Sequence, residues 1–262
     1  MPRLAANLSM MFTEIPFLDR FAAAARCGFK AVEFLFPYEW PAEEIARTVK
    51  DARLEVVLFN VPSGDWSKGD RGLGALPGRE RDFADGVDKA IHYAHTLGCP
   101  RIHVMAGLVP AGIARETCEA LFIDNLRKVA PKLAAAKLLG LLEPLNTIDV
   151  PCYLHNRTDH ALGYIEKVGS PALKLQLDLY HCSIMEGDLA RKIEGLAGRY
   201  GHVQIAGNPG RNEPDVGEVH YPFLFETFDR IGYDGWIGCE YRPKAATEAG
   251  LGWAKPYGIA AR

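Results

Sequence analysis

The chain has 262 residues, 48% of them hydrophobic and 24% charged, a size and balance that fit one soluble domain with a substantial core. Its net charge of −3 at pH 7 carries no basic excess of the kind that phosphate backbones or anionic membranes demand, so nucleic acid and lipid are poor partners. No apolar stretch approaches the roughly 18 to 20 residues that span a bilayer, and MPRLAANLSMMF lacks the features of a secretory signal, so the expectation is a cytoplasmic protein.

In chain order the strand-like runs are RLAANLS (3–9), KAVEFLF (30–36), EVVLFNV (55–61), RIHVMAG (101–107), LGLLEPL (139–145), LKLQLDL (173–179), HVQIAG (202–207) and GWIGCEY (235–241). Helix-like segments fall between and after them at 16–27, 41–53, 79–97, 114–137, 158–168, 188–199, 221–231 and 244–254. Pro16 and Pro41 open the first two, and Gly28, Gly98, Gly169 and Gly232 stand where left-handed C-caps are wanted. Unbroken strand-helix alternation implies parallel pairing with right-handed crossovers. Eight units in about 250 residues predict a closed (β/α)8 TIM barrel of the α/β class, a single domain over 1–262. The first strand is not followed by G-x-G-x-x-G, which removes the main support for a dinucleotide-binding sheet. Six cysteines without a CxxC pair read as reduced thiols.

Four runs in the second half end on residues able to hold a metal: Glu143, Asp178, Gln204 and Glu240. In a parallel barrel these side chains converge on one rim, and their oxygens suit a hard divalent cation such as Mg²⁺ or Mn²⁺. Glu143 and Glu240 close strands five and eight, across a small barrel mouth. Two carboxylates so placed can take a proton from one substrate carbon and return one to its neighbour. The plain alternative is that such acids cap helices or pair with Arg. For any one of them that alternative is the commoner, and for four at equivalent positions the site is preferred.

Around this set, His181 lies just past strand six, where its imidazole either hydrogen-bonds a substrate oxygen or serves structure, and Arg211 is a candidate for bidentate capture of a substrate carboxylate, its alternative being a solvated loop Arg. Asp149 either contacts substrate or caps the next element. Asn60 and Glu33 either line the pocket or hydrogen-bond inside the barrel, and His103 reads as interior packing. Two long connections, 62–79 and 208–219, follow strands and so belong to the catalytic face as candidate lids, where Arg71 could close over an anionic substrate or stay solvated.

LLEPLN, QLDLYH, HVQIAGNPGRNEP and GWIGCEYRP, with ANLSMMF, FPY and GDWSKGDRGLGALPGRE, closely resemble the hydroxypyruvate isomerase family of the xylose isomerase-like superfamily. The resemblance covers nearly the whole chain. It implies Glu143, Asp178, Gln204 and Glu240 as metal ligands, Glu143 and Glu240 as the acid/base pair, and substrate contacts for His181, Arg211 and Asp149. Ketose 3-epimerases of the superfamily carry His where this chain has Gln204. Some relatives carry Asp at position 207, so that Gly207 is expected to leave room beside the metal. The implied activity interconverts hydroxypyruvate and tartronate semialdehyde; a 2-oxo-tetronate isomerase or a ketose 3-epimerase on a related small sugar or sugar acid is the nearest alternative.

Two further classes stand beside it. A metal-dependent hydrolase of the same superfamily needs several clustered His and Asp ligands, and the eight histidines form no such cluster at the strand ends. A sugar-acid binding protein without catalysis needs no proton-transfer pair. Outer helices are compatible with a homo-oligomer, although nothing in the sequence specifies an interface.

Overall fold

The computed structural model describes residues 1–261. Strands β1 (Arg3–Asn7), β2 (Ala31–Glu33), β3 (Glu55–Asn60), β4 (Arg101–His103), β5 (Leu139–Leu142), β6 (Leu173–Asp178), β7 (Tyr200–Ile205) and β8 (Trp236–Cys239) close into a parallel barrel in chain order. β1 and β8 form the seam, with Leu4 opposite Ile237 and Ala6 opposite Cys239. Helices α1 (Phe17–Arg26), α2 (Ala42–Ala52), α3 (Glu80–Leu97), α4 (Arg115–Ala135), α5 (Thr158–Val168), α6 (Leu179–Met185), α7 (Leu189–Gly195) and α8 (Tyr221–Arg230) connect them. Gly98 and Gly169 stop α3 and α5 with φ of 65° and 70°, a left-handed conformation that a Cβ would penalise.

Side chains alternate across each strand, and this sorts the core from the site. Leu175 and Leu177 of β6, Val203 and Ile205 of β7, and Ile237 and Cys239 of β8 join the large apolar cluster with the helices. The intervening positions face the barrel interior. At one end Ala5, Ala31, Val57 and Trp236 make a small apolar plug. Further along, Asn7, Glu33, Gln176, His202 and Gln204 form a buried polar layer. The strand residues beyond it carry the site, as expected for the C-terminal face of a barrel.

Three departures from the sequence-based elements have local causes. The residues after Asp178 form helix α6, because Asp178 caps it, its Oδ1 accepting from the Tyr180 N–H at 2.8 Å. The final segment is a 3₁₀-helix, Thr247–Tyr257, whose start is tied down where the Thr247 N–H donates to Glu14 at 2.9 Å. The long connection after β3 contains a 3₁₀ turn, Trp66–Lys68, capped by Asp65. Cys99, Cys118, Cys152, Cys182 and Cys239 are free thiols, all but Cys152 buried. Among the described residues no helix is long and apolar enough to cross a membrane.

Candidate active site

A cavity of about 380 Å³ opens at the C-terminal end of the barrel. Glu143, the residue after β5, and Glu240, the residue after β8, both line it and are 5% and 4% exposed. Burial pushes the Glu143 carboxyl well above its ordinary range, and the charges of Glu240 and Asp178 push it further. Burial likewise raises Glu240 to about 8, against the lowering effect of Arg211. Asp178 is raised by burial and lowered by Arg211. Three carboxyl groups and one guanidinium therefore share a poorly solvated space, which favours an added positive charge.

Glu143, Asp178 and His181 bring one potential ligand atom each within 4.8 Å of one another. The tautomer of His181 argues for a different use of its ring. Nδ1 faces the Asn146 backbone N–H at 3.1 Å and the Asn146 side-chain Nδ2 at 2.7 Å. Asn146 Oδ1 is identified by the backbone N–H groups of Ile148 and Asp149 that donate to it at 3.0 and 2.8 Å, so Nδ2 is the atom facing the ring. A backbone N–H can only donate, so Nδ1 is an acceptor. Burial, aided by the charge of Arg211, holds the imidazole well below its ordinary pKa and hence neutral. The proton then sits on Nε2, 3.5 Å from Asp178 and 3.8 Å from Glu143 and without a hydrogen-bond partner. His181 thus offers the cavity an N–H donor rather than a lone pair.

Arg211 reaches the site from a backbone in the left-handed region, φ 54°. Its Nη2 donates to Glu240 Oε2 at 2.7 Å and lies 3.4 Å from Asp178, while Nη1 is 3.8 Å from Asp149. Its guanidinium also stands 5.0 Å from the Tyr180 ring centre. The sequence suggested capture of a substrate carboxylate; in the structure, this guanidinium is already engaged by the protein's own acids.

Gly207 corrects one expectation. A Cβ at this position would lie 2.3 Å from the Val216 carbonyl oxygen and 2.5 Å from that of Glu213. Gly207 therefore makes room for the backbone of the 208–219 connection and opens no space beside a metal.

Gln204 is 1% exposed and does not line the cavity. Its Nε2 donates to Glu33 Oε1 at 2.8 Å and its Oε1 accepts from Gln176 Nε2 at 2.6 Å. Glu33 also meets His202 Nε2 at 2.6 Å and accepts from Asn7 at 3.0 Å. Gly238 leaves space for that carboxylate, since a Cβ there would lie 2.2 Å from Glu33 Oε2. Of the two readings open for Glu33, hydrogen bonding inside the barrel is the observed one.

Asn60, Arg71, Asp149, His181 and Arg211 all line the cavity together with the two glutamates, while Asp178 stands behind its wall. His103 lines it too, its Nδ1 3.3 Å from Glu143 Oε2, and burial lowers its pKa to about 3, so the ring is neutral. Sequence reasoning missed Asn146 and Arg242. Arg242 had a readable signal, because alternation along an extended segment places it on the same side as Glu240.

Glu143 Oε1 is buried without a hydrogen-bond partner, and the donor set around it is rich in carboxylate oxygen, so these residues fit a hard divalent cation. Gln204 Oε1 retains a second lone pair beyond its bond to Gln176.

Residues 21–257 match the family model described as xylose isomerase-like TIM barrel. A curated 2-oxo-tetronate isomerase from Cupriavidus necator is 55% identical over 98% of this chain and 99% of its own length. The hydroxypyruvate isomerase of Escherichia coli K12 is 46% identical over 98% of this chain and all of its own length. A crystal structure described as an AP endonuclease, family 2, from Brucella melitensis superposes with a TM-score of 0.96 at 51% identity, covering 98% of this chain and 99% of that one. The chain belongs to the xylose isomerase-like TIM barrel family and is closely similar to curated 2-oxo-tetronate and hydroxypyruvate isomerases.

Proposed function

We propose that this protein interconverts hydroxypyruvate and tartronate semialdehyde, or the corresponding pair of four-carbon 2-oxo acids, by proton transfer between neighbouring carbons. The observation that supports this most is the pair of buried carboxyl groups, Glu143 and Glu240, exposed only to one small cavity and both held above their ordinary pKa. A carboxyl tuned toward neutrality serves as base in one half of the cycle and acid in the other. One glutamate removes the proton from the hydroxymethyl carbon, and the released electron pair forms the C=C bond of a cis-enediolate. Return of a proton to the former carbonyl carbon, with the hydroxyl proton moving to the new secondary alcohol, completes the aldehyde. The His181 Nε2–H is placed to donate to a substrate oxygen where negative charge develops. Arg211, donating to Glu240 Oε2, opposes the rise that burial imposes on this carboxyl. A divalent cation bound by Glu143, Asp178, Gln204 and Glu240 would supply further stabilisation of the enediolate charge and acidify the C–H bond.

A multi-metal hydrolase reading has less support. Among the described residues the only group of three or more His, Cys, Asp or Glu side chains able to share an ion is Glu143, Asp178 and His181. Incubating the protein with hydroxypyruvate or its four-carbon homologue in D₂O, with Mg²⁺ or Mn²⁺ and then with EDTA, tests the proposal. Conversion of at least one acid with deuterium entering the product carbon is expected. Turnover of neither overturns it.

Cation binding has an independent readout in stability. Because Glu240 is raised from 4.5 to about 8, the folded state holds protons between those limits that the unfolded chain releases. In EDTA, Tm is therefore expected to fall as pH rises through that window. At pH 8 a cation at 100 times its Kd adds about 2.7 kcal/mol. That corresponds to a gain of about 5 °C or more at this chain length. The gain shrinks at pH 5, where protons compete. A Tm at pH 8 indifferent to Mg²⁺ and Mn²⁺ counts against the ligand set.

A further inference from the structure

Two arginines at the cavity mouth, Arg71 and Arg242, are not neutralised by the protein. Arg71 Nη1 donates to the carbonyl oxygens of Trp66 at 3.1 Å and Asp70 at 2.7 Å, and its guanidinium stacks over the Trp66 ring at 3.7 Å. These partners are uncharged, so they orient the guanidinium and leave its charge and its Nε and Nη2 donors available. The Arg242 backbone is pinned on both sides, its N–H donating to the Arg211 carbonyl at 2.7 Å and its carbonyl accepting from Asn212 at 2.8 Å. Its exposed guanidinium has no partner among the described residues, and it lines the same cavity as Arg71.

The inner part of the site has the opposite character. There, Asp149, Asp178 and Glu240 engage the Arg211 guanidinium, and Glu143 adds a fourth carboxyl whose charge acts on it. A substrate carboxylate placed among them would meet like charge, whereas at the mouth it meets two free guanidinium forks. We propose that Arg71 and Arg242 form a carboxylate clamp at the mouth, and that Arg242 sets the preference for a sugar acid over a neutral sugar. The proposal rests on the isomerase reading above. It orients the substrate with its carboxylate outward and its carbonyl and hydroxyl carbons inward, toward Glu143 and Glu240. Three- and four-carbon acids can share the clamp, because the added carbon extends away from it.

The test compares Arg242→Gln, Arg242→Lys and wild type on hydroxypyruvate and on dihydroxyacetone, in which a hydroxymethyl group replaces the carboxylate. Loss of one charged fork is expected to raise KM for the acid about tenfold, with kcat changed by less than about threefold. The ratio of kcat/KM for acid over neutral ketose falls by a similar factor, and the lysine variant, which keeps the charge without the fork, lies between. Equal losses on acid and neutral substrate, or no loss on either, overturn the clamp. Calorimetric binding of glycerate, which cannot be isomerised, separates this from the functional reading. Glycerate bound by wild type and about tenfold more weakly by Arg242→Gln sustains the clamp even if no 2-oxo acid is turned over. Glycerate that binds both proteins alike, or binds neither, overturns it.

Discussion

Glu143→Gln and Glu240→Gln are each expected to lower kcat by about 10³-fold or more, since a positioned general acid/base contributes on the order of 10² to 10⁴ and each glutamate acts in both directions. The amide keeps the shape of the side chain and cannot exchange a proton. The two variants should differ in stability, which separates a chemical loss from a folding defect. Glu143 is opposed by burial and by the charges of Glu240 and Asp178, and its Oε1 has no hydrogen-bond partner. Neutralising it removes an unfavourable charge, so without a divalent cation Glu143→Gln should melt at or above the wild-type Tm at pH 8. Glu240 is also raised by burial but accepts from Arg211 at 2.7 Å, a favourable contact that the amide weakens, so its variant should gain less than Glu143→Gln. Near wild-type turnover in either variant would sink the two-carboxylate assignment.

The second large effect is expected for Arg211→Met. Methionine fills much of the same volume and removes the guanidinium that pairs with Asp178 and Glu240. Leaving buried charges unpaired typically costs about 3–5 kcal/mol, and protonation of Glu240 caps that cost. A Tm drop of about 5–10 °C follows. The shift in pH dependence is more diagnostic. Glu240 must be ionised to act as a base, burial raises its pKa and Arg211 opposes that rise. Without Arg211 the carboxyl stays protonated to higher pH, so the acidic limb of kcat/KM moves upward. A limb that stays in place or moves down would show that Arg211 does not tune Glu240.

Much of the fold was legible because the sequence marks its repeats at both ends: apolar alternation opens each strand, and residues such as Gly98 and Gly169 stop the preceding helix. Helix α6 was hidden because Asp178 both closes a strand and caps a helix with its Oδ1, two roles that look alike in sequence. In the site, the strand-terminal acids were readable because periodicity places them on one rim. The partners of those acids were not. That His103 approaches Glu143, that Asn146 sets the tautomer of His181, and that Arg211 turns inward depend on distances between strands that are remote in the chain. Gly207 shows the same limit, since the direction of a missing Cβ is a property of three-dimensional packing.

The polar layer inside the barrel bears on how proteins of this kind can diverge. Gln204 is joined through Glu33 to His202 and Asn7 and through its own oxygen to Gln176, so its replacement leaves several buried groups unsatisfied at once. A new side chain there requires coordinated changes on β1, β2, β6 and β7. Arg71 and Arg242 stand on connections at the mouth, where single substitutions disturb little else. Descendants of this scaffold are thus expected to acquire new substrates by exchanging mouth residues while inheriting the interior as a block.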